Sequence, residues 1–244
     1  MTLHIPTHRN IMVQILKDIF SDTTVGPFLG FKGGTAVYLF YNLPRFSVDL
    51  DFDILDFEKR DHIFEQMKKI LTAYGTIKGG DKKRDGLFFN LAYTNKTEGA
   101  QNIKIDMSSR QFGSKYEVKS YLGISMNVMV QEDIVAHKMS AMHERGDTTN
   151  RDIFDVWFFL KNNWPVNKEI IQKRTGLSYK DFLEESIKRL EATDGRDMLS
   201  GLGELVETEK QKDWVRTKLK PDIIFLLKLA QQNEYENEKS SKKI

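Results

Sequence analysis

Lys32-Gly33-Gly34-Thr35-Ala36-Val37-Tyr38-Leu39-Phe40-Tyr41-Asn42-Leu43-Pro44-Arg45-Phe46-Ser47-Val48-Asp49-Leu50-Asp51-Phe52-Asp53-Ile54 is the stretch on which the reading of this chain turns. From Arg45 the residues alternate. Phe46, Val48, Leu50, Phe52 and Ile54 fall on one side and Ser47, Asp49, Asp51 and Asp53 on the other, which is the period of a half-buried strand. Ahead of it, Gly33-Gly34-Thr35 opens a helix-like run from Ala36 to Tyr41 that breaks near Pro44.

Carboxylates at i, i+2 and i+4 on one strand face repel one another at neutral pH, so they stand in water or share a cation. A solvated acidic strand face is an ordinary feature of half-exposed sheets. Aspartate is nevertheless a poor strand former, and three in five positions call for compensation. A calcium loop does not fit, because the sixth position from Asp49 is Ile54 instead of glycine and the twelfth is Arg60 instead of glutamate. A phosphatase of the Asp-x-Asp type fits poorly, because its nucleophile ends a buried apolar strand and these acids run through theirs. The glycine turn favours the cation. Backbone N–H groups at such a turn and at a helix N-terminus hold phosphate oxygens. A phosphate grip beside an Asp-x-Asp pair that can hold Mg²⁺ is what phosphoryl-type transfer requires.

Outward from this centre, Arg9 to Asp22 places Ile11, Met12, Ile15, Leu16, Ile19 and Phe20 at helical spacing. Downstream the pattern predicts a helix over Asp61 to Ala73 and a polar connection from Gly75 to Gly86. Strands follow over Leu87 to Tyr93, Ile103 to Ser108 and parts of Tyr116 to Val130. From about Gln131 the chain reads as successive helices: 132–145, 151–162, 168–175, 179–192, a weaker stretch near 203–214, and 222–232 with Pro221 at its first turn. The expected organisation is an α/β core over 1–130, a helical domain over 131–232 and a flexible tail over 233–244.

The chain has 244 residues, 40% of them hydrophobic, enough for one large domain or two modest ones. With no cysteine, disulfides, thiolate zinc sites and cysteine nucleophiles are excluded, and any metal needs oxygen or imidazole ligands. The net charge of +2, from 37 basic and 35 acidic residues, describes a mixed surface and not a nucleic-acid coat. No run approaches the roughly 20 apolar residues of a membrane span, and no secretory signal is visible, so the expected compartment is the cytoplasm.

The glycine turn and Asp-x-Asp stretch, Lys32 to Ala36 through Arg45 to Phe52, resembles the first motif of the AbiEii/AbiGii toxin-type nucleotidyltransferases, within the DNA polymerase β-like superfamily. A second match follows in Glu132-Asp133-Ile134-Val135-Ala136-His137-Lys138-Met139-Ser140-Ala141, with Arg145, and in Arg151-Asp152-Ile153-Phe154-Asp155, similar to the family's lysine helix and Arg-Asp-x-x-Asp helix. Together they span about Phe28 to Leu160. The resemblance implies an α+β fold, a nucleotidyltransferase-type mixed β-sheet with flanking helices followed by a C-terminal helical region that contributes to the active site. It implies transfer of a nucleotide from an NTP, with Mg²⁺ or Mn²⁺, to an RNA (a tRNA end among the candidates) or a protein. It also implies the role of toxin in a toxin–antitoxin or phage-defence system, with a cognate antitoxin as partner. A fold of this kind that binds NTP without turnover, as a regulatory or partner-binding module, is the alternative.

Carried over residue by residue, the resemblance assigns Gly33, Gly34 and Thr35 to the phosphate turn and Asp49 and Asp51 to the metal. Asp106, in Lys104-Ile105-Asp106-Met107, is the candidate third carboxylate, with Lys104 beside it on the same strand face. That displaces Asp53 to a bystander. The superfamily often has serine where Gly34 stands, so a hydroxyl contact is missing or comes from Thr35. Arg45 and Ser47, flanking the strand entrance, either contact phosphate or hold the turn, with Arg45 read as a site-wall residue. Lys138 is placed near the phosphates, where an ammonium balances developing charge. Asp152 and Asp155, at i and i+3, either take part directly or orient Lys138 or Arg145. His137 and His143 read as surface residues.

Overall fold

The computed structural model describes residues 3–95, 99–145, 150–193 and 197–241. The chain divides into two units, Met1–Val130 and Gln131–Ile244.

The first unit opens with α1 (Ile5–Ser21). Its buried residues His8, Met12, Ile15, Leu16 and Ile19 recur at three and four, forming one stripe. The helix begins four residues before the Arg9 start expected from sequence. Pro6 is compatible with a first turn, and the His4 ring accepts from the Thr7 N–H. Then come β1 (Leu29–Lys32), α2 (Gly33–Tyr41), β2 (Leu50–Ile54), α3 (Arg60–Thr72), β3 (Thr76–Lys83), β4 (Gly86–Asn95), β5 (Gly99–Ser108), β6 (Tyr116–Tyr121) and β7 (Ile124–Met129). Among the described residues they build one seven-stranded sheet in the order β3-β4-β5-β2-β1-β7-β6. The sheet is mixed. At its centre β2 runs antiparallel to β1 and parallel to β5, and β1 runs parallel to β7.

One face of the central strands is the core. Leu50, Phe52, Ile54, Phe31, Ile103, Ile105 and Met107 are buried, and Phe52 packs against Phe31 and against Phe20 of α1, ring centroids 5.4 and 6.2 Å apart. Burying one such side chain stabilises by roughly 1.5–3 kcal/mol, which fixes the register of β2 and with it the face its carboxylates take.

Two sequence expectations change here. The strand expected from Arg45 is regular only from Leu50, and Phe46 to Asp49 belong to no helix or strand. The polar connection expected at Gly75 to Gly86 is largely β3, paired to β4 from Thr76↔Ala92 to Lys83↔Gly86. This strand lies at the sheet edge, and none of its residues is fully buried, so its sequence carries no apolar alternation to read.

The second unit is helical: α4 (Gln131–Arg145), α5 (Asn150–Lys161), α6 (Lys168–Thr175), α7 (Tyr179–Ala192), α8 (Glu209–Thr217) and α9 (Leu219–Ser241). Its core includes Val135, Met139, Phe154, Phe159, Phe182 and Leu227, with the Phe159 and Trp164 rings stacked at 4.7 Å. Asn167, Ser178 and Thr208 each cap the helix that follows through the side-chain oxygen, which sets the start of α6, α7 and α8. The last helix continues past Gln232 to Ser241, through most of the stretch read as a tail. His143, read as a surface residue, is 7% exposed, with its ring against Phe182 and Nδ1 3.1 Å from Ser186 Oγ. Its place on the inner side of α4 follows from Val135, Met139 and Met142, which keep the same helical rows.

Candidate active site

Gly33 stands where β1 gives way to α2, in the left-handed region at φ 78°. A methyl group built on its α-carbon would lie 2.1 Å from Asp51 Oδ2 and 2.8 Å from Asp51 Cγ. Glycine is therefore required twice at this position, by backbone angle and by the carboxylate lying against it. At Gly34 the neighbours are different. A methyl there would meet Ser47 Oγ at 2.8 Å and the Arg45 Nη2 at 3.0 Å. The turn is thus bracketed by Asp51 on one side and by Ser47 and Arg45 on the other. Both of the latter are almost fully buried, and Arg45 Nη1 donates to the Phe46 carbonyl at 2.9 Å.

Thr35, fully buried, donates its hydroxyl to the Asp49 carbonyl at 2.5 Å. The sequence leaves the hydroxyl contact at Gly34 either missing or supplied by Thr35, and in the structure the Thr35 hydroxyl is engaged by the backbone. That hydroxyl holds the backbone of Asp49, and Ser47 is the side chain whose hydroxyl lies against Gly34.

Register assembles the carboxylates. Asp51 on β2 is paired directly with Asp106 on β5 and with Lys32 on β1, so the three share one face of the sheet. Asp106 is about half exposed, with Lys83 Nζ 3.9 Å from its Oδ2. Lys104, exposed and opposite Asn90 in register, stands on the same face two residues before Asp106. Asp49 precedes the strand and is partly buried. Asp53 has a function of its own. It is 5% exposed, accepts from Lys32 Nζ at 2.5 Å and from the Tyr116 hydroxyl at 2.5 Å, and the Tyr116 ring lies over Gly30. This arrangement neutralises the third acid of the strand internally and ties Lys32, the residue preceding the turn, to β2.

Among the described residues, no group of three or more His, Cys, Asp or Glu is placed to hold a metal ion. Carboxylates in this number suit Mg²⁺, which is held by one or two of them while waters and substrate phosphates complete its shell. Asp51, braced on Gly33 at the glycine turn, and Asp106 beside it in register meet that description.

Within the helical unit, Lys138 of α4 contacts both acids of α5, Asp152 Oδ1 at 2.8 Å and Asp155 Oδ2 at 3.0 Å. The Asp155 side chain is fully buried, that of Asp152 is 6% exposed, and that of Lys138 18%. Both aspartates thus orient the lysine. The side chain of Arg145 lies outside the described residues.

Sequence reasoning missed His8, which binds the Val48 carbonyl beside Asp49. Its signal was present, since His8 is four residues before Met12 and extends the stripe of α1 backwards. The pairing of Tyr116 with Asp53 had no such signal, because residues 63 positions apart meet only through sheet order.

Comparison with known proteins bears on this geometry. The model of the family described as "Nucleotidyl transferase AbiEii toxin, Type IV TA system" matches residues 14–221. Among solved structures, the fold is similar to JHP933 from Helicobacter pylori, with TM-score 0.62 and 20% identity over 99% of this chain and 98% of that one. A putative nucleotidyltransferase from H. pylori gives 0.62 and 20% over 97% and 98%. MenT4, a nucleotidyltransferase toxin from Mycobacterium tuberculosis H37Rv, gives 0.56 and 15% over 89% and 82%. No curated protein matches the chain. Among the described residues, no helix is long and apolar enough to cross a membrane.

Proposed function

The chain belongs to the AbiEii nucleotidyl transferase toxin family, and from that premise we propose that it transfers a nucleotide from an NTP to a hydroxyl of an RNA or a protein, with its metal ligands drawn from the carboxylates Asp49, Asp51 and Asp106. One observation carries this reading: the Gly33-Gly34 turn lies against Asp51, whose register partner is Asp106.

The turn and the N-terminus of α2 offer backbone N–H groups to the triphosphate, with Ser47 and Arg45 beside Gly34 for its oxygens. A divalent cation would neutralise the phosphate charge and lower the pKa of the acceptor hydroxyl. The acceptor oxygen attacks the α-phosphorus, the bond from that phosphorus to the bridging oxygen breaks, and pyrophosphate leaves. In this reading Asp106, more exposed than Asp51, takes the hydroxyl proton or positions the metal. Lys138, Asp152 and Asp155 are assigned to the reaction on the resemblance of their helices to the family's lysine and Arg-Asp-x-x-Asp helices. Lys104, an exposed cation beside Asp106, is assigned to NTP binding. A cognate antitoxin is the expected protein partner.

The test is incubation of the purified chain with each α-labelled NTP, Mg²⁺ or Mn²⁺, and cellular RNA or protein. Label that resists protease and yields to ribonuclease marks an RNA acceptor, and the converse marks a protein. Asp49→Ala with Asp51→Ala should abolish labelling, and a double variant as active as the parent overturns the assignment.

A further inference from the structure

Asp49 lies outside the ladder that fixes Asp51. Phe46 to Asp49 have no regular structure, so the backbone groups there find partners other than a neighbouring strand. Two side chains provide them. Thr35 donates to the Asp49 carbonyl at 2.5 Å, and His8 Nε2 stands 2.9 Å from the Val48 carbonyl. The two ends of the Asp49 backbone are thereby held from two helices, α2 and α1.

The chemistry of the His8 contacts determines its proton. A carbonyl oxygen only accepts, so Nε2 carries the hydrogen, and in the neutral ring Nδ1 then accepts from the Tyr93 hydroxyl 2.7 Å away. The ring is fully buried and lies edge-on to Phe46 at 5.7 Å. Burial pulls its pKa below the ordinary histidine range, outweighing the Val48 bond and the Asp49 charge, which push it up. Nε2–H thus faces the Val48 carbonyl from a ring packed where an apolar residue would continue the stripe of α1.

We infer that His8 is a positioning residue for nucleotide transfer, aiming the Asp49 carboxylate by holding the Val48–Asp49 peptide through Nε2–H. It touches neither substrate nor metal. The inference rests on the proposed reaction, and it goes further by naming the side chain that fixes Asp49 where the strand does not. The energetic reason to keep a histidine on an apolar stripe is the carbonyl it satisfies, since an acceptor left unmet away from water is destabilising.

Two substitutions separate this from core filling. The glutamine amide nitrogen is as many bonds from Cα as His Nε2, so His8→Gln keeps a donor at Val48. The asparagine amide reaches only as far as Nδ1, so His8→Asn keeps polarity and loses that donor. With NTP saturating, His8→Asn should lower kcat at least tenfold while KM for NTP stays within about twofold, and His8→Gln should recover kcat to within about threefold of the parent. The Asp49 ¹³Cγ resonance should move in His8→Asn and stay near its native position in His8→Gln, and ¹⁵N spectra of the parent should show Nε2 protonated and Nδ1 not. Equal kcat in the two variants, an effect confined to KM, or a ring protonated at Nδ1 alone overturns the inference. A parent protein that labels no acceptor defeats the proposed reaction instead. In that case the Asp49 resonance and the tautomer still decide whether His8 holds the Asp49 peptide.

Discussion

Gly33 and Asp51 are packed so that the space a β-carbon would need on the first is filled by the carboxylate of the second. The pair couples the glycine turn to the acidic strand through packing. Gly33→Ala meets both the left-handed backbone angle and the carboxylate, so it should destabilise the protein by about 1–3 kcal/mol and displace Asp51. Urea unfolding measures the first effect, and loss of labelling in protein that remains folded measures the second.

Gly34 and Ser47 make a reciprocal case. Gly34→Ser places a Cβ 2.8 Å from Ser47 Oγ and 3.0 Å from Arg45, so it should impair transfer by itself. Ser47→Ala removes the hydroxyl beside the turn and should raise KM for NTP several-fold. Combining them restores a hydroxyl at the turn and relieves the crowding, so the double variant should outperform Gly34→Ser. Steady-state kinetics on the three proteins gives the answer, and a double variant worse than both singles contradicts the exchange.

Asp51→Asn and Asp106→Asn should each lower kcat by more than tenfold, and the double variant should be no worse than the weaker single by more than a few-fold. Carboxylates sharing one task lose it once. Full additivity of the two losses, measured in initial rates at saturating NTP, would mean that the register partners act separately.

How much of this site was legible beforehand follows from spacing. Gly33, Gly34, Asp49 and Asp51 lie within one short stretch, where alternation and a glycine turn can be read directly. Asp106 could be named only through a resemblance, because its place beside Asp51 depends on β5 joining β2 across the sheet. Asp53 was set aside as a bystander and proves to be a buried anchor for Lys32 and Tyr116, since burial at one end of a strand is not written in its alternation. The helices from α4 to α7 were bounded closely, because strong apolar periodicity or clear caps mark their ends. The edge strand β3 was not, because little of it faces the core.

Lys138 holds two carboxylates apart. Asp155→Asn removes the deeper partner and should cost about 3–5 kcal/mol, the range for breaking a buried ion pair. Lys138→Met leaves Asp152 and Asp155 facing each other and should cost at least as much, while Asp152→Asn, at the more exposed position, should cost least. Urea denaturation gives the order, and Asp152→Asn emerging as the most damaging change would contradict it.

Acid should weaken the fold through its buried histidines. Burial, then the Arg189 charge, lowers the pKa of His143, against the opposing pull of Glu185 and Glu144, and burial lowers that of His8. An unfolded histidine titrates near 6.5, so the unfolded chain takes up protons first as pH falls. Stability is then fully present above about pH 6.5 and declines as pH drops towards the folded values. His143→Phe keeps a ring against Phe182 and removes one titration, so its unfolding midpoint should change less than the parent's between pH 7.5 and 5.5. An identical slope in the two proteins would show that His143 does not contribute.

The order of strands has a consequence for synthesis. The chain makes Asp51 early, yet the strand that supplies its neighbour, β5, follows only after α3, β3 and β4, and β7, which closes the other side of β1, comes later still. A ribosome that has delivered the glycine turn and the Asp-x-Asp pair has not delivered a sheet in which they can be aligned. The register partners Asp51 and Asp106 therefore meet only once β5 has been made.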